Sequence, residues 1–264
     1  ETMPVCPVRG SVIYPTMVMP IDAGRPISIR AIDEALARDR VLLIVSQRDK
    51  EVETPRPSDL FEVGTACNIL KMRKNPDGSV QVLVQAFARV RVREWLDLGD
   101  HLEARGEVLA DEPGEPILVK ALVREVKDKF QALLKEGKYL APEVAQFILN
   151  LEDPSQLADY VAFHMDFRLE DKQKVLETAN VAERLRAVLV LLEAELALIE
   201  TQRRIQQQVK EEIDRNQREY FLREQMKAIQ RELHGEEGEQ EVEEFRRKLE
   251  ALDLPPVVRQ EVER

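Results

Sequence analysis

Residues 155–234 contain neither glycine nor proline, and a run of that length without a helix breaker leaves few folds open. From residue 180 onward it reads as one helix of more than fifty residues. Asn180 is placed to accept a first-turn amide while Glu183, three residues on, reaches back, which makes a capping box. Gly235 and Gly238 are the expected stop. At about 1.5 Å per residue the helix runs roughly 80 Å, so most of it is expected to project away from its globule.

The apolar positions divide the helix into stretches with different neighbours. Leu185, Leu189, Leu192, Leu196 and Ile199 share one stripe, Ile205, Val209, Ile213 and Tyr220 a second, and Leu222, Met226, Ile229 and Leu233 a third. Successive stripes are rotated by on the order of 110°, far beyond the drift of a coiled-coil seam. The first is expected to pack into its own domain and the outer two to meet other chains or domains. The plainer alternative is a solvated charged helix, against which Tyr220, Phe221, Leu222 and Met226 stand as costly residues for a wet surface.

The run Gln217-Arg-Glu-Tyr-Phe-Leu-Arg-Glu-Gln-Met-Lys-Ala-Ile-Gln-Arg-Glu-Leu233 resembles the signature helix of Lon, the ATP-dependent protease, between its N-terminal domain and its ATPase module. Pro4-Val-Cys-Pro-Val-Arg-Gly10, Tyr14-Pro-Thr-Met-Val-Met-Pro20 and Phe61-Glu-Val-Gly-Thr-Ala66 resemble the Lon N-terminal domain, bacterial type. The resemblance implies a region that recognises unfolded or damaged polypeptides, supports a hexamer of Lon subunits and feeds substrate to an ATPase ring. For the full-length protein it implies ATP, Mg and a Ser-Lys protease dyad in the cytoplasm, and none of those motifs matches a position here.

The residues themselves predict an α+β chain. Residues 1–112 read as a β-rich lobe, a curved, barrel-like sheet carrying one helix at Ile29, Ile32 and Leu36. Val41-Leu-Leu-Ile-Val45 reads as a buried strand, and Asn75-Pro-Asp-Gly78 as a turn. Val80, Val82, Val84, Ala86, Ala88, Val90 and Val92 then alternate with Gln81, Leu83, Gln85, Phe87, Arg89, Arg91 and Arg93 in a strand long enough to require a bulge. The linker Asp111-Glu-Pro-Gly-Glu-Pro116 leads to a helical bundle over 113–180. There Leu118, Leu122, Val126, Phe130 and Leu134 form one stripe, and Asp153-Pro-Ser-Gln156 starts another helix. The long helix over 181–234 follows, its base packed on the bundle. Residues 235–264 are expected to form an acidic joint, a helix from Val242 and a stop at Asp253-Leu-Pro-Pro256, cut short before the ATPase module of a longer protein.

Chemistry is not expected. No glycine-rich phosphate loop followed by Lys and Ser or Thr occurs among the ten glycines. His101, His164 and His234 lack metal-ligand spacing and read as surface histidines. Cys6 and Cys67 read as buried thiols in a reducing compartment. A formal net charge of -11 disfavours nucleic acid and anionic membranes, and no apolar run approaches the roughly 20 residues of a membrane span. No catalytic residue, metal site or cofactor is therefore assigned.

A binding role remains. Tyr14, Pro15, Met17, Met19, Pro20 and Ile21 are the candidate substrate surface, since flexible methionines adapt to chains without fixed geometry. The alternative is that Met17, Met19 and Ile21 line the sheet core. On the long helix, Tyr220, Phe221, Leu222 and Met226 are the candidate contacts with a neighbouring subunit or with substrate. Two rival functions are a coiled-coil scaffold indifferent to client folding and a nucleic-acid module using Lys71, Arg73, Lys74, Arg89, Arg91 and Arg93.

Overall fold

The computed structural model describes residues 2–136 and 140–250, and their side chains except at 233–241 and 249–250. The chain divides into two units, one of residues 1–199 and a second beginning at Glu200. The first unit is built from strand pairing and helix packing joined by a shared core.

Six strands, β1 (Thr2–Val8), β2 (Val18–Ala23), β3 (Val41–Ser46), β4 (Val63–Lys74), β5 (Val80–Asp97) and β6 (Leu102–Val108), run in the order β2-β5-β4-β3-β1-β6. The sheet closes because β5, 18 residues long, pairs with β2 through its first half and with β6 through its second. Closure leaves β2 alone at an edge, where Pro20 lacks an amide that another strand might use. The turn at residues 75–78 joins β4 to β5 as expected, with Gly78 at a φ of +85°. Helix α1 (Pro26–Ala37) packs Ala31, Ile32 and Ala35 with Leu42, Ile44, Val82 and Val84 on one face of the sheet. Leu43, Val45, Val90 and Leu102 pack on the other.

Four helices follow, α2 (Pro116–Lys135), α3 (Pro142–Leu149), α4 (Pro154–His164) and α5 (Leu169–Glu177), and then α6 (Val181–Glu250). Asp153 caps α4 by accepting the Gln156 amide at 3.0 Å, and Asn180 caps α6 by accepting that of Glu183 at 3.1 Å. The expected stripes are buried in part: Leu133 and Val188 join them, while Leu118, Leu134, Leu189, Leu196 and Ile199 are half-buried. Leu122, Val126, Phe130 and Leu133 of α2 meet Leu185, Val188 and Leu192 of α6. Val12, Tyr14, Met17 and Val63 from the β-rich part enter the same core, so the expected boundary at 112 falls inside the first unit. There Glu112 donates its amide to Ala179 and accepts that of Val181, both at 3.0 Å.

Helix α6 differs from expectation at its end. It passes through Gly235 and Gly238 and continues to Glu250, so the joint and the separate helix from Val242 are one element. Each interior glycine costs about 1 kcal/mol relative to alanine, and the Glu, Gln and Arg residues around them favour the helix enough to carry it past. The expected stop at residues 253–256 lies outside the described residues.

Candidate polypeptide-binding surface

The register of β2 decides which of its side chains meet solvent. Val18 stands across from Gln85, Met19 from Val84, Pro20 from Leu83 and Ile21 from Val82. Val82 and Val84 are fully buried, so Met19 and Ile21 turn inward with them and are half-buried, while Val18 and Pro20 are exposed. The expected patch is therefore corrected. Tyr14, Pro15 and Met17 are buried, and the tyrosine hydroxyl donates to the Lys172 carbonyl at 2.8 Å. A phenol in an apolar core requires such a partner, and its action is to tie the β1–β2 segment to the helices.

Two bulges interrupt the β4–β5 pair. The register passes from Cys67 opposite Ala86 to Ala66 opposite Ala88, leaving Phe87 over, and from Ile69 opposite Val84 to Lys71 opposite Leu83, leaving Leu70 over. A bulge re-aims the extra residue, and Phe87 and Leu70 are each 47% exposed. Together with Val18, Pro20 and half-buried Leu83 they place apolar side chains on the solvent side of β2, β4 and β5. Phe87 also borders a groove of about 280 Å³ whose lining includes Pro15, Val108, Asp111, Asp153 and Asp159.

Beneath that groove lies a buried ionic cluster. Arg89, expected on a solvated strand face, is 3% exposed and donates to both carboxylate oxygens of Asp159, at 2.5 and 2.6 Å, and to the Leu176 carbonyl at 3.1 Å. Arg184, fully buried, donates to Asp111 at 2.6 Å, to Ser155 Oγ at 2.6 Å and to the Thr178 carbonyl. The Ser155 hydroxyl donates in turn to Asp111. Burial pushes the Asp159 carboxyl up to about 6, against the pull of Arg89 and Arg184. Burial acts the same way on Asp111, but hydrogen bonds from Arg184 and Ser155 outweigh it and hold that carboxyl below its usual range.

The Asp159 shift has a measurable consequence. Its folded form keeps the proton up to about pH 6, whereas an unfolded Asp releases it near 4, so the folded state binds more protons between those values. This group's contribution to stability therefore falls as pH rises from about 4 to 6, by on the order of 3 kcal/mol. Urea unfolding of the native chain and of Asp159→Asn across that window is expected to show the native chain losing stability relative to the variant as pH rises.

The remaining candidates sort plainly. Lys71, Arg73 and Lys74 are exposed, but Arg89 is buried, Arg91 is half-buried and Arg93 pairs with Glu107, so the six do not form one open basic face. His101 is a correction as well. It is buried, with Nδ1 2.7 Å from Asp100 and Nε2 3.3 Å from Glu103. His164 is half-buried, and the His234 side chain lies outside those described. Cys6 and Cys67 are buried, and burial pushes both thiols up, Cys6 to about 11. Among the described residues no cluster of three or more His, Cys, Asp or Glu suits a metal ion, and no helix is long and apolar enough to cross a membrane. In the second unit every described side chain from residue 200 to 232 is exposed, with Tyr220 at 68% and Met226 at 62%.

This fold, a small closed sheet sharing a core with a helical bundle, is that of a known class. Residues 2–194 match the family model described as the ATP-dependent protease La (LON) substrate-binding domain. The chain belongs to that family. It is 42% identical over 262 residues to Lon protease 1 of Thermus thermophilus, covering 98% of this chain and 33% of the relative. It is 38% identical over 262 residues to the Lon protease of Escherichia coli K12, covering 99% and 33%. The chain thus spans about a third of the length of the curated relatives it matches. Among solved structures, the N terminal domain of Mycobacterium avium complex Lon protease aligns with a TM-score of 0.61 at 26% identity, covering 73% of this chain and 98% of that one. The Lon N-terminal domain protein from Xanthomonas campestris, 12% identical with a TM-score of 0.50 over 72% and 98%, shares the fold.

Proposed function

We propose that this chain is the non-catalytic recognition region of an ATP-dependent Lon protease. It captures unfolded or damaged polypeptides, supports assembly of the hexamer and delivers substrate to the ATPase and protease ring of a cytoplasmic enzyme. The observation that carries capture is the apolar surface of Val18, Pro20, Leu70 and Phe87, because a sheet face with exposed Leu and Phe raised on bulges needs a partner. Folded proteins bury the side chains that would fill it, and unfolded ones present them. Assembly is supported by Tyr220, Phe221, Leu222 and Met226, each more than half exposed on α6, which are assigned to contacts with neighbouring subunits or entering substrate.

The test is replacement on the surface. Phe87→Ser combined with Leu70→Ser is expected to weaken binding of a stably unfolded, fluorescently labelled protein about tenfold, from the apolar area removed. Unfolding stability should change by only about 1 kcal/mol because both side chains are half exposed. Unchanged binding by the folded double variant would overturn the assignment of this surface.

A further inference from the structure

The solvent face of β2, β5 and β4 carries charge as well as apolar side chains, and the strand register fixes which charges these are. Leu83 stands between Pro20 on one side and Lys71 on the other, and Gln81 stands opposite Arg73. Side chains of paired residues share a face, and the Gln81 amide bears this out by donating to Asp22 of β2 at 2.8 Å. Lys71 and Arg73 therefore extend the face of Pro20, Leu70 and Leu83. Lys74 belongs to the opposite face, where its ammonium lies 3.8 Å from Asp33 of α1. Lys71 and Arg73 are exposed, and among the described residues neither has an ion pair. That is notable in a chain with 50 Asp and Glu against 39 Lys and Arg. Asp22, the carboxylate this face does carry, is engaged by Gln81, and β5 separates it from β4. The aliphatic stems of Lys71 and Arg73 add to the apolar area while their charged heads stand at its rim.

Resting on the capture reading above, we propose that this face prefers unfolded segments in which Glu or Asp adjoins apolar residues. The carboxylate meets Lys71 and Arg73 while its apolar neighbours cover Pro20, Leu70 and Leu83, so charge and surface are complemented together. A nucleic-acid backbone would meet the same cations but offers no aliphatic side chain to Leu70 and Leu83.

Three labelled peptides of identical length test this, each with a central Leu-Phe pair flanked by glutamate, glutamine or lysine, titrated with the whole chain by fluorescence anisotropy beside a labelled single-stranded oligonucleotide. The glutamate peptide is expected to bind about two- to fivefold more tightly than the glutamine peptide, as exposed ion pairs allow, and the lysine peptide more weakly than either. The advantage should shrink as salt is added. Lys71→Gln combined with Arg73→Gln should bring the ratio of glutamate to glutamine binding to about one, whereas Lys74→Gln, on the opposite face, should leave that ratio in place. Equal binding of the three peptides, a ratio that survives the double variant, or an equal fall with Lys74→Gln overturns the acidic preference while capture stands. Oligonucleotide binding tighter than that of the glutamate peptide and lost in the double variant assigns the two cations to phosphate and overturns it as well. Binding of none of the peptides overturns capture itself.

Discussion

Replacing Arg89 with methionine is expected to lower stability by about 3–5 kcal/mol, the cost of leaving a buried charge without its partner. Asp159 is 1% exposed, and with Arg89 gone its nearest cation is Arg184 at 3.9 Å. The loss corresponds to a fall in melting temperature of roughly 10 °C for a unit of this size. Adding Asp159→Leu to Arg89→Met should recover much of it, since an apolar pair of similar volume often matches a buried ion pair. A loss below about 1 kcal/mol in the single variant, measured by urea unfolding at pH 7, would mean that the cluster is open to water.

Gly64→Val should be at least as damaging. A Cβ at Gly64 would lie 2.5 Å from the Ile44 carbonyl oxygen and 2.7 Å from Val45 Cγ2, and the oxygen belongs to the neighbouring strand, so the backbone itself must shift. The neighbouring Thr65 hydroxyl donates to the Ile13 carbonyl at 2.6 Å, which holds the β1–β2 segment against the same point. Displacing β4 here opens the sheet and loosens Tyr14 and Met17 in the core behind it. The expected loss is on the order of 4 kcal/mol or more, the range of severe core clashes. Gly24→Ala is the contrast, with nothing within 4 Å of the added carbon. It should be neutral or stabilise by a few tenths of a kcal/mol.

Local grammar in the sequence proved sufficient for several elements. The turn at 75–78, the caps at Asp153 and Asn180, and much of the apolar stripes of α2 and the base of α6 depend on residues within one or two turns of each other, and they form where expected, with Leu133 and Val188 more deeply buried than Leu134 and Leu189. The alternation of β5 also held through Val80, Val82, Val84 and Ala86. What could not be read depends on distant partners. Arg89 looks like its neighbours Arg91 and Arg93, and only the approach of α4, 70 residues on, turns it into the anchor of a buried pair.

Half of the candidate surface is buried for a related reason. Alternation in residues 17–21 gave two faces without saying which was covered; pairing with β5 turns Met19 and Ile21 toward Val82 and Val84, while Met17 enters the core shared with the helices. Phe87 stands where the alternation put it, on the face opposite Val80, Val82, Val84 and Ala86, whereas Leu70 was not singled out because the position of a bulge depends on the partner strand. The helix end misled through glycine. Gly235 and Gly238 are permitted to stop a helix but are not bound to, and a charged helix-forming context took α6 through them to Glu250.

One protein, labelled and prepared both folded and stably unfolded, should be titrated with this chain by fluorescence anisotropy at low and high salt. The account predicts binding of the unfolded form, largely retained at high salt as expected for apolar contact, and little binding of the folded form. Equal binding of both forms would contradict recognition of the unfolded state and leave the chain an assembly scaffold, and binding of neither would do the same.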